Sequence, residues 1–80
     1  MKGILRTRTP EEMKFARQLS DWIRRIRVLA DTNHHQMGEV AGVRGSTLQS
    51  WERGESMPSP FQLVLLRRFA RTNGWETPEL

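Results

Sequence analysis

Helix-start and helix-stop signals punctuate this chain so closely that helices are the only regular structure it can form. Thr9-Pro10-Glu11-Glu12 opens the first segment. Thr9 suits the N-cap, Pro10 the first helical position, and Glu12 the third, from which a carboxylate reaches back to the cap. Two acids in the first turn also complement the helix dipole. Ser59-Pro60-Phe61-Gln62 repeats the pattern, Asn33 is an N-cap type ahead of His34, and Gly42, Gly54 and Asn73-Gly74 are stops. Between the first signals Met13, Ala16, Leu19, Ile23, Ile26 and Ala30 recur at gaps of three and four, with Phe15, Trp22 and Leu29 widening the face. The spacing predicts helices from about Pro10 to Ala30, His34 to Ala41, Gly45 to Arg53, and after Ser59 to about Thr72. In the last of these Phe61, Val64, Leu65, Phe69 and Ala70 keep helical spacing. No stretch alternates as a strand does, and no internal repeat or low-complexity tract is present. The expected fold is all-α, a compact bundle of four to five short helices. Ser20 and Asp21, themselves N-cap types, allow a break in the first segment.

Eighty residues suffice for one small domain whose contacts must be mostly local. The expected organisation is a flexible basic arm over 1–8, a domain over 9–74 and a short acidic tail over 75–80. The absence of cysteine excludes disulfides and thiolate zinc sites and fits a reducing compartment. No apolar run reaches membrane-span length, and no secretory signal is legible at the start, so a cytoplasmic location is expected. The formal charge is +4, and eleven of the thirteen basic residues are arginine. Residues 22–71 hold eight arginines against four acids, whereas 75–80 hold only Glu76 and Glu79. Guanidinium groups fork onto phosphate oxygens, so a basic body rich in arginine suggests a polyanionic partner.

The informative stretch is Asn33 to Gly54, NHHQMGEVAGVRGSTLQSWERG. Two short amphipathic segments flank a turn containing Gly42-Val43-Arg44. Met37, Val40 and Ala41 are expected to face inward from the first, and Leu48 and Trp51 from the second. A three-residue turn with glycine imposes the steep crossing of a helix-turn-helix. Gly45, Ser46, Thr47, Gln49, Ser50 and Arg53 are left outward. That face is narrow enough for a major groove, and its hydroxyls and amide can bond to base edges.

At this point the chain resembles the Xre/Cro-type helix-turn-helix family of phage and bacterial regulators, of lambda-repressor-like fold. The resemblance rests on Ile23-Arg24-x-x-Arg27, on Met37-Gly38-x-x-Ala41-Gly42-Val43, and on Leu48-x-x-Trp51-Glu52-Arg53-Gly54, with Pro58 and Leu65 following. It covers about residues 19–72. It implies base contacts from Gly45, Ser46, Thr47, Gln49 and Ser50, and phosphate contacts from His34, His35, Arg44 and Arg53. It also implies a buried ion pair between Arg27 and Glu52, while Arg24 and Arg25 are expected to point outward. Three departures stand out. Gly38 replaces the usual alanine and weakens its helix by about 1 kcal/mol. Thr32 stands where an apolar residue is common. Arg44-Gly45 replaces the usual hydroxyl N-cap and removes a base-reading side chain, so the recognition helix is expected to fray or to begin at Ser46.

Other constellations are weaker. His34 and His35 point about 100° apart and cannot chelate one ion together. His35 and Glu39 have the spacing of a ligand pair but lack a third ligand, so no metal and no cofactor is expected. His34 is expected to hold a phosphate better when protonated. Trp22 and Trp51 read as packing residues, and Trp75 as a candidate dimer contact. No arrangement of nucleophile, base or paired carboxylates suggests an enzyme. The resemblance implies a transcriptional repressor acting by operator occupancy, as a homodimer on a palindromic double-stranded site. The rival is a protein-binding adaptor on the same fold, an antitoxin or a phage factor acting on host transcription machinery.

Overall fold

Three capping boxes start three of the four helices, and each is built from residues that only need their near neighbours. Thr9 and Glu12 close the first, Asn33 and Gln36 the second, Ser59 and Gln62 the third. In each box the cap side chain accepts from the third helical N–H, and the third side chain accepts from the cap N–H. A computed structural model of the chain describes residues 9–78. It contains α1 (Pro10–Leu29), α2 (His34–Ala41), α3 (Gly45–Glu52) and α4 (Pro60–Thr72), with no strand among the described residues. The basic arm expected over 1–8 lies outside the described residues. Among the described residues no helix is long and apolar enough to cross a membrane.

The permitted break in α1 does not occur. Ser20 is buried, and its hydroxyl donates across the core to the Trp51 carbonyl at 2.7 Å instead of capping a new helix. The helix ends at Leu29, and Asp31 takes the left-handed conformation just beyond it, at φ +55°. Thr32 then folds back, its hydroxyl donating to the Arg27 carbonyl at 3.0 Å. The same carbonyl accepts the Thr32 N–H at 3.1 Å, so backbone and hydroxyl together close the last turn of α1.

The core joins Leu19, Trp22, Ile23 and Ile26 of α1 to Met37 and Ala41 of α2, Leu48 and Trp51 of α3, and Leu66 and Ala70 of α4. Each fully buried Leu, Ile or Met contributes about 1.5–3 kcal/mol of transfer free energy. α3 packs between α1 and α2, and α4 packs on α2. The apolar stripe read along α4 needs correction. Leu66 and Ala70 are the buried pair, whereas Phe61 is 70% exposed and Val64 46% exposed. Helix α4 has apolar residues on more than one face, and the contact with α2 selects the face of residues 66 and 70. In α1, Met13 and Leu29 lie in exposed end turns, outside the stretch that the other helices cover.

Trp75 packs beside the core, with its ring edge-on to Phe69 at 5.8 Å between centroids. The Trp22 indole N–H donates to the Glu76 carbonyl at 2.8 Å, which fastens the segment after α4 to α1.

Candidate nucleic-acid interface

The crossing of α2 and α3 is set by a close backbone approach. A Cβ on Gly38 would lie 2.6 Å from the Val43 carbonyl oxygen, and the Val43 N–H donates to the Gly38 carbonyl at 2.9 Å. Glycine here is thus a packing requirement and more than the helix weakness that propensity alone describes. Gly42 takes φ +72° and turns the chain, and Val43 packs against the core. Gly45 is a second close approach: a Cβ there would meet the backbone of His34 and His35 at 3.0–3.3 Å. The first turn of α3 therefore rests on the first turn of α2. This contact holds the helix start at Gly45, although Arg44 supplies no side-chain cap.

Leu48 and Trp51, at 0% and 2% exposure, anchor α3 from below. Ser46 and Arg53 are exposed and Gln49 is half-buried; their spacing of three and four lines them along one side of α3. Arg44 is exposed just ahead of the helix and Thr47 is half-buried. The Ser50 hydroxyl lies 2.8 Å from the Ser56 hydroxyl in the following loop, so part of its hydrogen-bonding capacity is used internally. His35 is exposed, with its ring 3.9 Å from Glu39. The only acid of α3, Glu52, is buried, so the outward face of this helix carries no carboxylate.

Glu52 collects the basic groups around it. Arg27 Nε donates to Oε2 at 2.6 Å and Nη2 to Oε1 at 3.2 Å, a two-point contact. The His34 Nε2 is 3.3 Å from Oε1. Arg24 is exposed, as expected, yet its Nε lies 3.6 Å from Oε1 and its Nη2 donates to the Glu52 carbonyl at 3.1 Å. That carbonyl ends α3, where a cation is favoured by the helix dipole. Burial works to raise the Glu52 carboxyl, but the hydrogen bond and charge of Arg27, joined by those of His34, hold it below its ordinary value.

His34 thus stands at the start of α2 with one ring nitrogen turned to the buried acid and about a third of its side chain exposed. Sequence reasoning missed Arg24, Ser20 and Ser56. A signal existed for Arg24, which shares a helix face with Arg27 through an i,i+3 spacing. None existed for the two serines, whose partners are fixed by packing.

The profile of the family described as Helix-turn-helix matches residues 23–72, from the buried middle of α1 to the end of α4. Comparison with curated proteins and with solved structures gives no match. With the turn geometry, the inward Leu48 and Trp51, and the ion pair tying α1 to α3 all within that span, the chain belongs to the family of Xre/Cro-type helix-turn-helix regulators, DNA-binding proteins of transcription control.

Proposed function

We propose that this protein is a sequence-specific double-stranded DNA-binding regulator, a Cro-like repressor that works by occupying its operator. The observation that carries the reading is the composition of the outward side of α3. Ser46, Gln49 and Arg53 line it, Arg44 precedes it, and its single acid is turned inward against Arg27. Short polar side chains allow close approach to base edges, and the flanking arginines neutralise phosphates. In this reading Ser46, Thr47, Gln49 and Ser50 face the bases, with Gly45 bringing the backbone close. Arg44, Arg53, His34 and His35 hold the two phosphate strands. One such module reads few base pairs, so a homodimer on a palindromic site supplies the remaining specificity.

Titration onto random-sequence duplex DNA at two salt concentrations tests the electrostatic part. Affinity should fall steeply with salt, because each phosphate contact releases a counterion. Selection of bound sites from a random pool, with the mass of the complex measured, tests specificity and stoichiometry. Binding that is absent, or indifferent to salt, would overturn the reading.

A further inference from the structure

α4 carries a second face, of different composition from that of α3. Phe61, Val64, Arg68 and Arg71 follow one another at spacings of three, four and three, which aligns them along one side of the helix. The first two are large exposed apolar residues, at 70% and 46%. The last two are exposed arginines, and with half-buried Arg67 they make three cations in a helix that contains no acid. None of the three arginines has an ion-pair partner among the described residues. The Arg67 Nε is shielded from solvent and has no hydrogen-bond acceptor. Arg67 also lines a groove of about 260 Å³ together with Val64, Arg68, Arg71 and Thr72. A shielded donor without an acceptor is unfavourable, which leaves the Arg67 guanidinium unsatisfied beside this face.

We propose that this face of α4 docks an acidic amphipathic helix from a partner protein, separately from the DNA face of α3. The apolar half of the stripe gives such a helix surface to bury, and the arginine half selects carboxylates. Duplex DNA fits less well, because Phe61 and Val64 would meet a phosphate backbone with nothing apolar to offer. A second copy packed through the same face fits less well too: antiparallel, it sets Phe61 and Val64 against the arginines of its mate with no carboxylate to pair them, and parallel, it sets arginine against arginine. The polarity of the stripe fixes the direction of the partner. The apolar residues lie at the N-terminal end of α4 and the cations at its C-terminal end. An antiparallel partner places its own first turns over Arg68 and Arg71. Carboxylates in those turns are also favoured by the partner's helix dipole, so one arrangement satisfies both helices.

The test uses the whole 80-residue chain and a fluorescein-labelled synthetic peptide with two glutamates in its first turns and two leucines behind them on the same face. Fluorescence anisotropy should show saturable binding. Arg68→Ala combined with Arg71→Ala should weaken it by about tenfold or more, and Phe61→Ser by a similar factor. A peptide with lysines for glutamates should not bind. Duplex DNA affinity of the double variant should stay within about twofold of the parent, with no change in the salt slope. All three substituted positions are at the surface, and circular dichroism checks that the variants stay folded. No saturable binding, or binding unchanged by both variants, overturns the proposal. A loss of DNA affinity in the double variant with a salt slope reduced by about two assigns the face to phosphate instead. A halving of the native mass by Phe61→Ser assigns it to a second copy. The DNA titration of the unaltered chain is independent of these arms, so failure here leaves the reading of α3 standing.

Discussion

Arg27 and Glu52 sit twenty-five residues apart in sequence and meet through two hydrogen bonds, of 2.6 and 3.2 Å, that tie the last turns of α1 to the end of α3. The acid is 4% exposed and the arginine 19%. Removing one partner of such a pair leaves the other desolvated, which costs more than the pair itself contributes. Glu52→Gln is expected to lower stability by about 3 kcal/mol, because Arg27, Arg24 and His34 all lose their shared carboxylate. Arg27→Met should cost less, since Arg24 and His34 still face the acid. Urea denaturation of both variants checks the order. A loss below about 1 kcal/mol for Glu52→Gln would place the pair with ordinary surface bridges.

The lowered Glu52 carboxyl makes a prediction about acid. A group whose folded pKa is depressed contributes stability above its unfolded value, and that contribution is lost as pH falls through the folded value. The window therefore opens below the ordinary carboxylate value of 4.5 and extends downward. Thermal midpoints of the parent should drop more steeply than those of Glu52→Gln between about pH 5 and pH 2. Parallel curves would show that the carboxylate is not held in its ionised form by the fold.

On the DNA side, Gln49→Ala and Arg53→Ala should fail differently. The first should relax preference at one base position, by about 1–3 kcal/mol. The second should weaken all sequences alike and reduce the salt slope by about one. Binding-site selection and salt titration on each variant separate the two effects. Identical behaviour of the two variants would contradict the division between base-reading and phosphate-holding residues.

Gly38→Ala sets two effects against each other. Alanine favours the helix by about 1 kcal/mol. Its methyl group, however, would stand 2.6 Å from a backbone carbonyl that the turn cannot easily move. Overpacking of this kind costs about 1–3 kcal/mol, so the net result should be destabilising. A variant that melts above the parent would show that the α2–α3 crossing yields more readily than its geometry suggests.

Asp31→Gly should stabilise the protein by about 1 kcal/mol, for two reasons that act together. Asp31 holds φ +55°, a conformation that costs a side-chain-bearing residue about 1 kcal/mol. Its charge also follows the end of α1, where the helix dipole disfavours an acid. Glycine's larger unfolded-state entropy offsets part of the gain. Thermal melting measures the balance, and an unchanged or lower midpoint would count against it.

The caps, the turn and the inward pairs of α2 and α3 were legible in the residues themselves. Thr9 with Glu12, Ser59 with Gln62, Gly42 after Ala41, and Leu48 with Trp51 all act within three or four positions, where spacing alone fixes the geometry. Packing between distant segments decided the rest. It turned Leu66 inward and Phe61 outward, kept α1 whole by giving Ser20 a partner thirty-one residues away, and drew Arg24 and His34 onto Glu52. A helix with apolar residues on several faces does not say which face its neighbour will cover. A hydroxyl that could cap a helix or cross a core takes whichever acceptor the fold brings within reach.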